Sequence, residues 1–116
     1  MQDELPRLDH ENLDVYRCAI EFCRLSLVWI AALPRGESEL RSQLKRAAMS
    51  TPLNIAEGSG KPSAIDRARY YGIARGSAME CAALIDVCAL AGYVSEADAH
   101  RGKHLLVRAM LTKMCR

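Results

Sequence analysis

A chain of 116 residues and 12.8 kDa has room for one hydrophobic core, so residues 1–116 are read as a single domain. Half of the residues are hydrophobic and 26% are charged, which excludes intrinsic disorder along the whole chain. A formal net charge of +2 is too small to point to nucleic acid by itself, and scarce aromatics beside abundant Ala, Leu, Arg and Glu favour helix over strand.

Four helical segments follow in chain order. The first is expected at about 10–32, with Asp9 as N-cap and Leu13, Tyr16, Ile20, Cys23, Leu27 and Ile30 along its seam. Pro34 and Gly36 end it. The second is expected at about 38–58, with Leu40, Leu44, Ala47, Thr51 and Ile55 inward. Pro52 lies within it and should bend the helix rather than stop it, because the period resumes at Ile55.

Gly58-Ser59-Gly60-Lys61-Pro62 is the clearest break. The third helix, about 64–91, opens with Ser63 as N-cap and Asp66 three residues on, and closes at Gly92. Tyr70, Ala74, Ser77, Cys81, Leu84, Cys88 and Ala91 mark its seam. The fourth, about 96–114, is capped by Ser95, with Ala97, His100, His104, Val107, Leu111 and Met114 facing inward. Four amphipathic helices with short links predict an all-α, antiparallel up-down-up-down four-helix bundle.

Charge is arranged in blocks. Residues 1–40 carry four basic and eight acidic side chains, and 41–75 carry seven basic and two acidic. Residues 76–100 hold four acids and no base, and 101–116 five bases and no acid. Two readings fit: helices whose unlike faces meet across the bundle, or a basic face that binds an anionic polymer. On the second, the phosphate contacts are Arg41, Lys45, Arg46, Lys61, Arg67, Arg69, Arg75, Arg101, Lys103, Arg108 and Lys113.

Five cysteines, an odd number with no C-x-x-C pair, read as free thiols in a reducing compartment. The acidic start Met1-Gln2-Asp3-Glu4 is unlike a signal peptide. The longest apolar stretch, Leu25 to Leu33, is too short to span a bilayer. A cytoplasmic protein is expected.

No catalytic constellation emerges. Gly60-Lys61 is followed by Pro62 and preceded by helix, so it is not a P-loop. His100 and His104 share one helix face but make only half of a metal site, and no Glu-x-x-His is present. No nucleophile elbow or Cys–His pairing appears. No enzyme activity, cofactor or metal is therefore expected. Glu57 and Glu80, flanked by small residues, are expected in a polar network with Gln43, Asn54 and Ser77 that fixes helix register.

A second stripe on the third helix, Gly72, Gly76, Met79, Ala83, Asp86 and Leu90, is small or apolar at five of its six positions. Either this helix lies deep between its neighbours, or the stripe is a self-association face, with Gly72, Gly76, Met79, Ala83 and Leu90 as its contacts.

Gln43 to Ser50, then Asn54-Ile55-Ala56-Glu57-Gly58, then Ile73 to Glu80 resemble the signature of the four-helix bundle proteins first noticed as reading frames in intervening sequences of 23S ribosomal RNA genes. The resemblance makes Asn54, Glu57, Gly58, Gly76, Ser77 and Glu80 signature positions of structural role. It also implies kinship with the accessory variability determinant protein of diversity-generating retroelements, a basic pentameric barrel that partners a reverse transcriptase and binds nucleic acid. The expectation is thus a non-enzymatic homo-oligomer, a pentamer by that resemblance, with weak binding to RNA or DNA backbone or to a nucleic-acid-processing protein. The alternative is a module that binds protein alone.

Overall fold

The computed structural model describes His10 and residues 13–110 of the chain. Among them run four helices: α1 (Asp14–Ala32), α2 (Ser38–Ser59), α3 (Ala64–Leu90) and α4 (Glu96–Ala109). No strand is present among the described residues.

The chain marks each end. α1 starts at Asp14, four residues later than expected, after an extended Leu13 that offers no capping oxygen; Asp9 lies outside the described residues. It stops at Leu33, which is extended (φ −63°, ψ 142°) as a residue before proline must be. Gly36 then takes φ +98° in the turn to α2, a conformation open to glycine. α2 continues from Ser38 to Ser59 with Pro52 inside it, and the Thr51 hydroxyl donates to the Ala47 carbonyl (3.1 Å) in the same turn.

Both serine caps are in place. Ser63 Oγ accepts from the Asp66 amide (3.3 Å), and Ser95 Oγ from that of Asp98 (3.1 Å). α3 ends in a Schellman turn, with Gly92 at φ +80°, the Tyr93 amide donating to Cys88 O (2.8 Å) and the Gly92 amide to Ala89 O (3.1 Å). Leu111, Lys113 and Met114, expected at the end of α4, lie outside the described residues.

The helices pack around a square: α1 meets α2 and α4, α3 meets the same two, and neither diagonal pair approaches at the backbone. α1 and α3 therefore point the same way on opposite corners. The main core gathers Phe22, Trp29, Leu44, Cys81, Ile85 and Leu106; a second cluster joins Val15, Cys18, Ala19, Ile55, Ala74 and Ala109. Phe22 and Trp29 meet edge to face with ring centroids 6.0 Å apart.

The inward faces of α2 and most of α3 match the expected seams, although Ala91 is exposed. Those of α1 and α4 do not. Ile20 and Leu27 of the expected α1 seam are exposed, and the core is filled from Val15, Cys18, Phe22, Leu25 and Trp29. On α4, Ala97, His100, His104 and Val107 are exposed, whereas Ala99, Gly102, Leu106 and Ala109 face inward. The reason is steric. The large Trp29 and Phe22 rings need a partner helix with small residues, and a Cβ on Gly102 would stand 2.8 Å from Trp29 Cη2 and 3.3 Å from Phe22 Cε1.

Candidate functional site

Two features distinguish α2 and α3: a polar seam between them and an uncovered face on the outside of α3. The seam is a short chain of hydrogen bonds. Ser50 and Ser77 meet through their hydroxyls at 2.7 Å, and Asn54 Nδ2 donates to Ser50 O (2.9 Å) and Ser50 Oγ (3.0 Å). One turn on, Gly58 is buried where α3 crosses. A Cβ there would stand 2.8 Å from Tyr71 Cε1 and 3.0 Å from Tyr70 Cβ, so only glycine permits this approach. Ser50–Ser77 and Gly58–Tyr70/Tyr71 together lock the antiparallel register of the pair.

The expected network is smaller than the sequence suggested. Asn54 and Ser77 belong to it, but Glu57, Glu80 and Gln43 do not. Glu57 is exposed and pairs with Lys61 (3.0 Å), an attraction that raises the Lys61 pKa. Gln43 donates to Glu39 (2.8 Å) on the surface, and Glu80 is exposed. Carboxylates this close to water need no buried partners.

Outside, α3 shows a continuous apolar face. Leu90 is 90% exposed, Ile65 82% and Met79 55%, and Ile73 and Val87 are exposed beside them. Gly72, Gly76 and Ala83 are exposed too, and a Cβ on either glycine would meet nothing within 4 Å. α3 is therefore not sunk among its neighbours. On α2, Met49 and Leu53 are also exposed.

Residues 11–113 match the family model described as 23S rRNA-intervening sequence protein. The chain belongs to this family. No curated protein matches it. The match spans all four helices, and of the residues that carried the resemblance Asn54 and Ser77 lie in the α2–α3 seam and Gly58 at the close approach, while Gly76 lies on the outer face of α3.

Most basic candidates of this intervening-sequence protein are already engaged. Lys61 holds Glu57, Arg69 holds Asp66 (3.0 Å), Lys103 holds Asp86 (2.6 Å), and Arg101 and Arg108 reach Glu21 (3.4 Å) and Asp14 (3.6 Å) on α1. Arg41 donates to the Leu33 carbonyl (3.1 Å), and Arg67 to those of Lys61 (3.0 Å) and Pro62 (2.8 Å), tying down loops. Lys45, Arg46 and Arg75 are exposed with no partner among the described residues. The Tyr70 ring, with Lys61 Nζ 5.2 Å and Arg69 Cζ 5.9 Å from its centroid, is half-buried.

Cys18, Cys23, Cys81 and Cys88 are free thiols. Burial pushes Cys81 up to about 12, so it sits in the core as a neutral small hydrophobe. Among the described residues no group of three or more His, Cys, Asp or Glu side chains is placed to hold a metal ion. No described helix is long and apolar enough to cross a membrane. The sequence missed Ile73 and Val87 on the α3 face because they flank the stripe at angles a single-line reading skips, and Ile65 because it lies on the same line two turns before the stripe's first residue, Gly72. Ile20 and Leu27 of α1 are exposed although their spacing places them in the core seam, and Val28 is exposed beside them.

Proposed function

We propose that this chain is a non-enzymatic scaffold of the cytoplasm that assembles into a ring and offers weak nucleic-acid binding around it. The observation that carries the reading is the uncovered α3 face, with Leu90, Ile65 and Met79 in solvent and two glycines bare of neighbours. A monomer gains nothing from such a face, whereas burial against another copy recovers roughly 25 cal/mol for each Å² of apolar surface covered. Glycine lets the neighbour's backbone come close, offsetting its cost to the helix of about 1 kcal/mol relative to Ala. Five copies is the number that the family resemblance suggests.

Nucleic-acid binding narrows to Lys45, Arg46 and Arg75. Three unpaired cations per copy bind phosphate feebly alone, and repetition around a ring adds their effects. Fluorescence anisotropy with a mixed-sequence RNA and its DNA counterpart tests this. Binding is expected at low salt, weakening steeply as salt rises, and largely lost in Lys45→Glu/Arg46→Glu. Absence of binding at low salt would remove nucleic acid from the proposal.

The ion pairs favour a second reading. Because five of the candidate cations hold carboxylates of the same chain, the charge blocks serve packing in that reading, and the ring is a module that binds protein alone. Recovery of the same partner from lysate with and without nuclease treatment would select it.

A further inference from the structure

Two faces of the bundle are uncovered, and they lie on opposite corners. On α3 the face runs through Ile73, Gly76, Met79, Ala83, Val87 and Leu90. On α1 it runs through Ile20 (43% exposed), Leu27 and Val28 (60% exposed), with Arg24 among them. Because α1 and α3 occupy a diagonal of the square, each points away from the other. Two unlike faces pointing in opposite directions cannot satisfy one another within a twofold pair. They suit a head-to-tail contact that repeats until the ring closes.

We propose that the outer face of α3 docks on the outer face of α1 of the next copy, the two helices running parallel. This rests on the assembly reading above and adds which surfaces meet. The heights agree. Val15, Cys18 and Ala19 share a core cluster with Ala74, and Gly102 of α4 lies against Phe22 and Trp29 on one side and Ile85 on the other. These contacts set Ile20 level with Met79, Leu27 and Val28 level with Val87, and Arg24 between Glu80 and Asp86. A rotation about an axis parallel to the bundle carries no translation along it. Residues level within one copy are therefore level across the contact, and apolar side chains meet apolar ones without a shift.

The charges agree as well. On α1, Arg24 and Arg101 share the single carboxylate of Glu21, which leaves an excess cation at the edge of the apolar face. On α3, Glu80 is exposed with no partner among the described residues. Arg24 of one copy then reaches Glu80 of the next. The fitting occupant of either face is a second copy of this chain.

A mixing experiment distinguishes the faces. Val28→Asp spoils only the α1 face and Val87→Asp only the α3 face; both positions are exposed, so the fold should survive, and circular dichroism checks it. Leu27→Asp stands in if the first variant misfolds. By light scattering each variant is expected at the monomer mass. The equimolar mixture is expected at twice that mass, since one sound α3 face meets one sound α1 face and nothing further can add. A Val28→Asp protein that keeps the wild-type mass, or a mixture that stays monomeric, overturns the α3-to-α1 assignment while leaving assembly standing. A wild type that is itself monomeric overturns the assembly reading and this contact with it.

Discussion

Glycine plays opposite parts at different positions in this small bundle. Gly58 sits where a methyl group would strike Tyr71 Cε1 at 2.8 Å and Tyr70 Cβ at 3.0 Å, so Gly58→Ala is expected to cost about 1–3 kcal/mol in a urea melt. Gly76 faces open space, so Gly76→Ala is expected to raise the stability of the dilute monomer by up to about 1 kcal/mol while weakening assembly. Equal effects of the two changes on the melt would contradict this. Titration acts at the same scale. Burial lifts Cys81 from 9.0 to about 12 and raises Cys23, Cys88 and Tyr71, while the Glu37 carboxylate accepting from Tyr93 (2.6 Å) raises that phenol. Above about pH 9 the folded chain keeps protons that the unfolded chain has released, so stability falls as pH rises and this contribution is whole below that range. The urea midpoint is expected to decline between pH 9 and 12, less steeply in Cys81→Ala. A midpoint that stays level across that interval would refute the linkage.

At the scale of the element, helix existence was legible and helix facing was only half so. Ser63 with Asp66, Ser95 with Asp98, Pro34 and Gly92 announced the ends, because capping is a local matter between residues close in sequence. Ser63→Ala is expected to lower stability by about 1 kcal/mol, as the Asp66 amide loses its acceptor. A melt unchanged by this substitution would contradict the cap. Facing depends on what lies across the bundle, which spacing does not record. α1 carries apolar residues on both sides, and the rings of Phe22 and Trp29 decided which turned inward. α4 turned its small side, Ala99, Gly102 and Ala109, toward those rings, so His100, His104 and Val107 stayed outside. For the polar seam, Asn54 and Ser77 were recognisable by type, whereas Ser50 became a partner only once α2 and α3 were in register.

At the scale of the whole molecule, the alternating charge blocks are largely resolved by pairing. Arg101 and Arg108 of α4 reach Glu21 and Asp14 of α1, and Lys103 reaches Asp86 of α3. Exposed pairs of this kind add little stability each, but they leave few cations for an outside partner. The unsatisfied surface is apolar and lies on the outer corners of α3 and α1. The outer stripe of α3 was legible because glycine and alanine replaced the Lys and Glu that a solvent face carries. Its counterpart on α1 was hidden by being mistaken for core. Solution mass tests the account most directly. Light scattering on the purified wild-type chain is expected to give an integral multiple of 12.8 kDa, fivefold if the ring has the suggested size. A mass of one chain at every concentration would contradict it.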